Sequence, residues 1–571
     1  MSRLLQEFPE VNNETWEEAI RKDLKRTGPD KKLEWESPDG LRIKAYYRSE
    51  DLNGLEYLDT APGDFPFVRG NRSTGGWRIR EEIEEAEPRS ANHAAVEAIK
   101  AGAEEIEFRS VSPQNASELE ILHSNLEGVP VHFHGATEDL VHLLMKVGQA
   151  HCWSTDLDPL LHIDLTRELA ALERGQVLTL DAGKFEEGGS TAVQEVGFIL
   201  AEGIDFLAAL DTRGIEADRA AASVAFSFAI GSTYFFQIAK LRAFRLLWAR
   251  VVESFGGTAE AAKARIHARS SRWNRTIYDP HVNILRGTTE AMSAILGGAD
   301  SVTVSSFDRC YKPPDAASRR LARNTQIILK QEAQLASVAD PGGGSYYLEA
   351  LTDSIARESW KLMQEIEAAG GFPKADARIT QTLRESLAAR QKAVTQRRRV
   401  LVGTNKYPNP EEQALDRITQ HTNGIRRGAE IFEQIRLRTE RHARRTGKLP
   451  RILLAEMGDL KMRVARSTFA YNLFGCAGFE IIQQKFDNTE LLAQADADLI
   501  VLCSSDPEYL ALAGSLIAHL KERNREIPII IAGNPDSAEQ LKTLGVTDFV
   551  HVRSNPVEIL EKWQAKVGSR E

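Results

Sequence analysis

From about residue 90 to residue 305 the chain repeats one unit, a short apolar run followed by a helical stretch. The runs Glu105 to Phe108, Val129 to Phe133, Leu161 to Leu165, Val177 to Leu180, Ile204 to Leu210, Val224 to Ile230, Ala264 to Ala268 and Val302 to Ser305 read as strands. Strands separated by helices call for parallel pairing, and eight of them predict a (β/α)8 barrel whose working face is the C-terminal end of the strands. A doubly wound open sheet has the same rhythm, because alternation alone does not report closure.

The unit restarts after Pro450 on a smaller scale. Strands are expected at Arg451 to Leu454, Phe479 to Ile482, Leu499 to Leu502, Ile527 to Ile531 and Asp548 to His551. Helices are expected at Arg463 to Leu473, Pro507 to Leu520 and Asp536 to Leu544, which together give a doubly wound domain of the flavodoxin-like type. Between these units, residues 375–449 are helical and locally basic, with Arg397-Arg398-Arg399 and Arg441 to Arg445 as solvated helix faces of a linker or belt. The reading divides the chain into an arm (1–60), a barrel (61–374), a belt (375–449) and a flavodoxin-like domain (450–571).

Several features exclude other classes. A net charge of −10 argues against a nucleic-acid partner. No run of about 18 apolar residues suggests a membrane span, and the start of the chain does not read as a targeting segment. Cys152, Cys310, Cys476 and Cys503 form no C-x-x-C pair, which points to reduced, buried thiols of a cytoplasmic protein. Asp340-Pro-Gly-Gly-Gly-Ser345 lacks the Lys-Ser/Thr of a phosphate loop and reads as a turn. The segment Ser232 to Val252 keeps Tyr234, Ile238, Leu241, Trp248 and Val252 on one helical face and reads as core packing. In the arm, Phe8, Trp16, Ile20, Leu24, Tyr46, Tyr47 and Leu52 are too sparse for a core of their own, so the arm is expected to lie mainly on a partner.

The order barrel, belt and flavodoxin-like domain resembles the adenosylcobalamin-dependent acyl-CoA mutases, and local strings strengthen the match. Phe235-Phe236-Gln-Ile-Ala-Lys240 through Trp248 is similar to the helix after that family's sixth barrel strand. Arg320-Leu-Ala-Arg-Asn-Thr-Gln326, Asp340 to Tyr347 and Val402-Gly-Thr-Asn-Lys-Tyr407 resemble its later segments. The resemblance implies a holoenzyme in which the corrinoid supplies the radical chemistry while protein groups hold the cobalt and grip an acyl-CoA.

At the positions that would do this work, the chain departs from the family. Active relatives ligate cobalt through D-x-H-x-x-G, where an imidazole is the ligand and the aspartate fixes its tautomer. Here Lys461, Arg463 and Arg466 stand in those places after Asp459, and a guanidinium has no lone pair to offer. The glycine pair beside the nucleotide tail reads Ala532-Gly533-Asn534, and the nearest upstream histidine is His442. In the barrel, Lys184 of Asp181-Ala-Gly-Lys184 occupies the place of a substrate-binding histidine after the fourth strand. The tyrosine and arginine expected before Trp77-Arg-Ile-Arg80 are missing from a shortened Gly70 to Gly76. An arginine-bearing insertion is missing between Leu165 and Gln176, where Arg167 and Arg174 read as surface charges.

The resemblance is therefore to the small, non-catalytic subunit branch of the methylmalonyl-CoA mutase family. It implies no catalytic, cofactor-binding or metal residue on this chain, with adenosylcobalamin and acyl-CoA held by a catalytic large subunit in a heterodimer. A catalytic mutase borrowing cobalamin from a separate protein, or a regulatory binding protein of a mutase, are the competing expectations.

Overall fold

The computed structural model describes residues 12–24, 32–147, 152–170, 177–419 and 427–568. Among them, eight parallel strands close into a barrel. They are β1 (Arg78–Ile83), β2 (Glu105–Phe108), β3 (Val131–Phe133), β4 (Trp153–Thr155), β5 (Val177–Asp181), β6 (Val224–Ile230), β7 (Ile266–Ser270) and β8 (Ser301–Thr303). Each pairs with the next, and β8 returns to β1 with Ser301 opposite Arg78. Closure removes the open-sheet alternative.

Six of the expected strands fall on barrel strands, and two do not. Ile204 to Leu210 lies inside the helix Ala192–Asp211, of whose 20 residues fourteen are buried. That helix is wedged between Tyr234–Ser254 and Tyr346–Ala368, with Gly203 against Trp248 and Gly197 against Leu362, so its apolar positions run together and the helical period disappears. Leu161 to Leu165 is likewise no strand but leads into the helix Ile163–Ala170. The two strands in their place are β1 and β4. β1 reads Arg-Ile-Arg-Glu-Glu-Ile, with charges rather than apolar groups turned to the axis, and β4 has only three residues.

The helix Tyr234–Ser254 follows β6, as the resemblance implied. Residues 340–345 form the turn before the helix Tyr346–Ala368, which Ser345 caps by accepting from Leu348 N at 3.4 Å.

In the C-terminal part, β9 (Arg451–Glu456), β10 (Glu480–Lys485), β11 (Leu499–Cys503), β12 (Ile529–Ala532) and β13 (Asp548–Val550) form a parallel sheet in the order β10-β9-β11-β12-β13. Its inner strands β9, β11 and β12 are buried on both faces, as parallel strands require, whereas the edge strand β10 is half exposed. Ile452, Leu454 and Val501 face one core, whereas Leu453, Ile500 and Leu502 face the other. Phe432 and Ile435 of the helix Glu430–Thr446 complete the first of these cores, so the end of the belt is built into this domain. The basic run there is not simply solvated. Arg397 donates to Asn472 O at 2.6 Å, and Arg399 reaches Ser232 Oγ at 3.1 Å, while Arg398 is exposed.

The arm divides in two. The helix Asn13–Asp23 buries none of its residues. Beyond it, the ribbon Trp35–Glu36 with Arg42–Ile43 lies on the chain's own barrel, where Leu41 and Ile43 join the core and Tyr57 Oη donates to Glu349 O at 3.2 Å. Tyr47 packs against Tyr347, and Trp35 against Phe236. Phe8 falls outside the described residues. Cys310, Cys476 and Cys503 are buried, but Cys152 is exposed. No helix of the described residues is long and apolar enough to cross a membrane.

Candidate functional site

Alternate residues of a barrel strand face the axis, and barrels usually fill that axis with branched apolar side chains. Here the axis is charged. Arg80 of β1 donates to Glu105 of β2 at 2.9 Å and lies 3.6 Å from Glu107, while Arg109 after β2 reaches Glu82 at 3.0 Å and Glu107 at 2.5 Å. Charges taken out of water must be paired, and this chain of pairs across two strands does so. His132 of β3 bonds Ser154 Oγ through Nδ1 at 2.9 Å, and His267 of β7 bonds Ser301 Oγ through Nδ1 at 2.8 Å. Burial, followed by the Arg80 charge, lowers both imidazoles, His132 to about 4, so both are neutral at physiological pH.

The lumen opens at its C-terminal end into a cavity of about 150 Å³. There His134 Nδ1 lies 2.6 Å from Asp156 Oδ2, and Arg109 Nη2 lies 2.9 Å from His134 Nε2. Burial favours the neutral carboxyl of Asp156, but the His134 contact outweighs it and holds the group at about 2. Across the mouth, Arg269 pairs with Glu187 at 2.8 Å and with Asp181 at 3.4 Å. Arg272 is held down to about 10 by burial and by the Arg309, Arg109 and Arg269 charges. Small-ligand sites ordinarily enclose ~300–1,000 Å³, several times what remains here.

Lys184 is not in this mouth. It follows β5, the fifth barrel strand rather than the fourth, because β1 precedes the strands counted from sequence. Its Nζ pairs with Glu202 at 2.6 Å and lies against the rings of Phe185 and Phe372. Gly70 to Gly76 sits at the opposite, N-terminal end, where Asn71 Nδ2 donates to Ala264 O at 2.5 Å. Arg167 is exposed on the helix Ile163–Ala170, which follows β4; Arg174 lies outside the described residues.

In the flavodoxin-like domain the strand order reverses between β9 and β11, the place where such sheets bind ligands at their C-terminal edge. Asp459 caps the helix Leu460–Phe474 by accepting from Met462 N at 2.8 Å. Lys461 and Arg463 therefore fall in the first turn, and Arg463 donates back to Gly458 O at 3.0 Å. Glu508, after β11, closes the edge from the other side. Its Oε2 accepts from Ser504 Oγ and Ser505 Oγ at 2.6 Å each and from Asp459 N at 3.2 Å. The Ser504 and Ser505 contacts, then the Asp459 amide, hold this carboxyl at about 2. A Cβ at Gly458 would stand 2.3 Å from Glu508 Oε2, and one at Gly533 would stand 3.1 Å from Asp506 Oδ1, the partner of Arg466. His551 also lies at this edge but follows β13, beyond β11 and β12, and its Nδ1 accepts from Arg553 N. His442 lies on the helix Glu430–Thr446.

The axial groups Arg80, Glu107, Arg109, His132, His134 and Asp156 were not marked by the sequence reading. The available signal was the alternation of ionisable residues in Arg80-Glu-Glu82, Glu105-Ile-Glu107 and His132-Phe-His134, each flanked by apolar positions.

Comparison with known proteins gives a consistent picture. The family described as methylmalonyl-CoA mutase matches residues 36–117 and 172–462. A methylmalonyl-CoA mutase small subunit of Porphyromonas gingivalis is 36% identical, covering 100% of this chain and 99% of that protein. One from Streptomyces virginiae is 32% identical, covering 99% and 98% respectively. The methylmalonyl-CoA mutase of Escherichia coli is 28% identical over 75% of this chain and 69% of its own length.

Proposed function

Because this chain belongs to the methylmalonyl-CoA mutase family, we propose that it is the small subunit of a two-chain mutase, supporting a catalytic large subunit and performing no isomerisation itself. The observation that carries this reading is the filled barrel axis. Arg80, Glu105, Glu107, Arg109 and Glu82 occupy the space a substrate thioester would need, and each is held by an ion pair whose loss would strand a buried charge. Interconversion of methylmalonyl-CoA and succinyl-CoA then belongs to the partner, which binds the acyl-CoA.

The same reading assigns adenosylcobalamin to the partner. The residues at the C-terminal edge of β9 and β11 do not fit a histidine-ligated corrinoid. Arg463 stands in the ligand's place, and Glu508 and the Arg466–Asp506 pair fill the approach to Gly458 and Gly533. A corrinoid inserted there would have to displace Glu508 and the Arg466–Asp506 pair and break the hydrogen bonds they now make.

The test is to purify the chain alone and with its co-purifying large subunit, add adenosylcobalamin, and record corrinoid content, spectrum and turnover. One corrinoid per heterodimer, with none on the isolated chain and no turnover by it, is expected. A histidine-ligated corrinoid on the isolated chain, or isomerisation by it, overturns the proposal.

A further inference from the structure

Strand β3 runs into His132-Phe133-His134, and Asp156 follows the neighbouring β4. Residues two apart on a strand share a face, so both imidazoles turn to the barrel mouth while Phe133 packs outward into the apolar layer. One ligand atom from each of His132, His134 and Asp156 lies within 4.8 Å of the others. We propose that these three side chains bind a first-row divalent metal ion of the Zn²⁺ or Co²⁺ type at the C-terminal mouth of the barrel.

The chemistry of the set fits such an ion. Two imidazoles and one carboxylate are borderline ligands that suit zinc, cobalt and iron better than magnesium or calcium. The outer contacts that orient ligands are also in place. Ser154 Oγ holds Nδ1 of His132, which leaves Nε2 turned to the cavity. The Asp156 carboxylate is fixed by Gly135 N at 3.0 Å and Ala136 N at 3.2 Å. Three protein ligands leave further positions for water, and a cavity of about 150 Å³ has room for it. The residues lining that cavity include four arginines and four carboxylates, so their formal charges balance.

Arg109 is the competitor. A guanidinium only donates, so its contact with His134 Nε2 places the imidazole proton on Nδ1, facing Asp156 at 2.6 Å. A metal bound through Nδ1 takes the position of that proton, which moves to Nε2, and the Arg109 contact must then open. Arg109 keeps its pairs with Glu82 and Glu107 when it does. Ligand atoms about a tetrahedral zinc stand ~3.3 Å apart, so separations of up to 4.8 Å have to close while the His134–Asp156 pair at 2.6 Å has to open. His134, with 42% of its side chain exposed, is free enough to provide that movement.

The experiment uses the full chain without an affinity tag, stripped with chelator and titrated with Co²⁺ while the visible ligand-field bands are recorded, then challenged with Zn²⁺. Expected are one Co²⁺ per chain by elemental analysis, displacement by Zn²⁺, and affinity at least tenfold weaker in both His132→Ala and Asp156→Asn. Arg109→Met, which removes the competing donor, is expected to bind at least threefold more tightly. Circular dichroism checks that each variant is folded, and Asp156→Asn retains an acceptor oxygen for one of the two amides, Gly135 N or Ala136 N. Substoichiometric Co²⁺, unchanged affinity in folded His132→Ala or Asp156→Asn, or weaker binding in folded Arg109→Met overturns the assignment.

Discussion

Lys184 Nζ lies 2.6 Å from Oε1 of Glu202, a carboxylate on the helix Ala192–Asp211 that packs outside the barrel wall. The lysine that the family resemblance sets in the place of a substrate-binding histidine is thus engaged behind the strands rather than at the mouth. Burial raises Glu202 to about 7 even with the lysine charge beside it. Lys184→Ala is expected to leave the turnover of the assembled mutase within twofold of wild type. The cost in chain stability should be about 1 kcal/mol, below the range for fully buried pairs because Lys184 is partly exposed and Glu202 can take up a proton. Glu202→Gln added to Lys184→Ala should recover part of that loss. Steady-state kinetics of the complex and urea unfolding of the chain check both points, and a large fall in turnover with the complex intact would place Lys184 in the chemistry.

Among the described residues, Glu202 is one of three buried carboxyls raised to about 7. Glu195 and Glu290 are also raised to about 7, in each case chiefly by burial, with Lys240 and Arg275 as the opposing charges. An acid raised in the folded state binds more protons there than in the unfolded chain, so its contribution to stability is lost as pH rises from about 4.5 to about 7. Each group contributes at most ~1.4 kcal/mol per pH unit. Asp156 and Glu508, both held at about 2, act in the other direction, and their contribution is lost as pH falls below about 4. Thermal unfolding should therefore show greatest stability between about pH 4 and 5 and a decline from there to about pH 7, and Glu290→Gln should flatten that decline.

At the edge of the C-terminal sheet, Gly458 has φ +67° and its missing Cβ would meet Glu508 Oε2 at 2.3 Å. Gly458→Ala is expected to destabilise the chain by about 1–3 kcal/mol, through a left-handed backbone and the displaced carboxylate together. Removing Glu508 as well should cost less than the two single changes added, because the clash disappears with it. A double-mutant cycle by urea unfolding measures the difference; additive costs would mean that Glu508 does not occupy this space in solution.

The two-unit architecture was legible because it rests on hydrophobic rhythm, which β9, β11 and β12 display in nearly every position. The barrel was legible in kind but not in register. Ile204 to Leu210 looked like a strand because a helix enclosed by its neighbours loses the polar stripe that gives the period away. β1 was invisible for the opposite reason, since Arg80 and Glu82 face an axis that neutralises them with Glu105, Glu107 and Arg109, and a charged run reads as solvent-exposed until its partners are placed. That one missed strand shifted the strand count for Lys184. The axial cluster remained unread because its members come from β1, β2, β3 and the end of β4, and pairing across strands has no signature in a single stretch of sequence.

The arm offers the sharpest test of assembly. Its helix Asn13–Asp23 exposes Trp16 by 40% and buries none of its side chains, although the Trp16 ring lies tilted against Tyr46 and carries the Arg48 guanidinium at 5.0 Å from its ring. The segment after it is different, because Leu41, Ile43 and Tyr57 are each 7% exposed or less on the chain's own barrel. Burying a large apolar side chain contributes ~1.5–3 kcal/mol, so these three help to hold the barrel itself. Deleting residues 1–24 should leave barrel unfolding within about 1 kcal/mol of wild type, since surface contacts of this kind contribute little. It should nevertheless weaken association with the large subunit, to which the helix is the free part of the arm. Deleting residues 1–60 should destabilise the barrel by several kcal/mol. Size-exclusion chromatography of the heterodimer and urea unfolding of each truncated chain separate the two effects. Unchanged association after the shorter deletion would show that the helix is not an assembly element, and equal destabilisation by both deletions would mean that it belongs to the barrel after all.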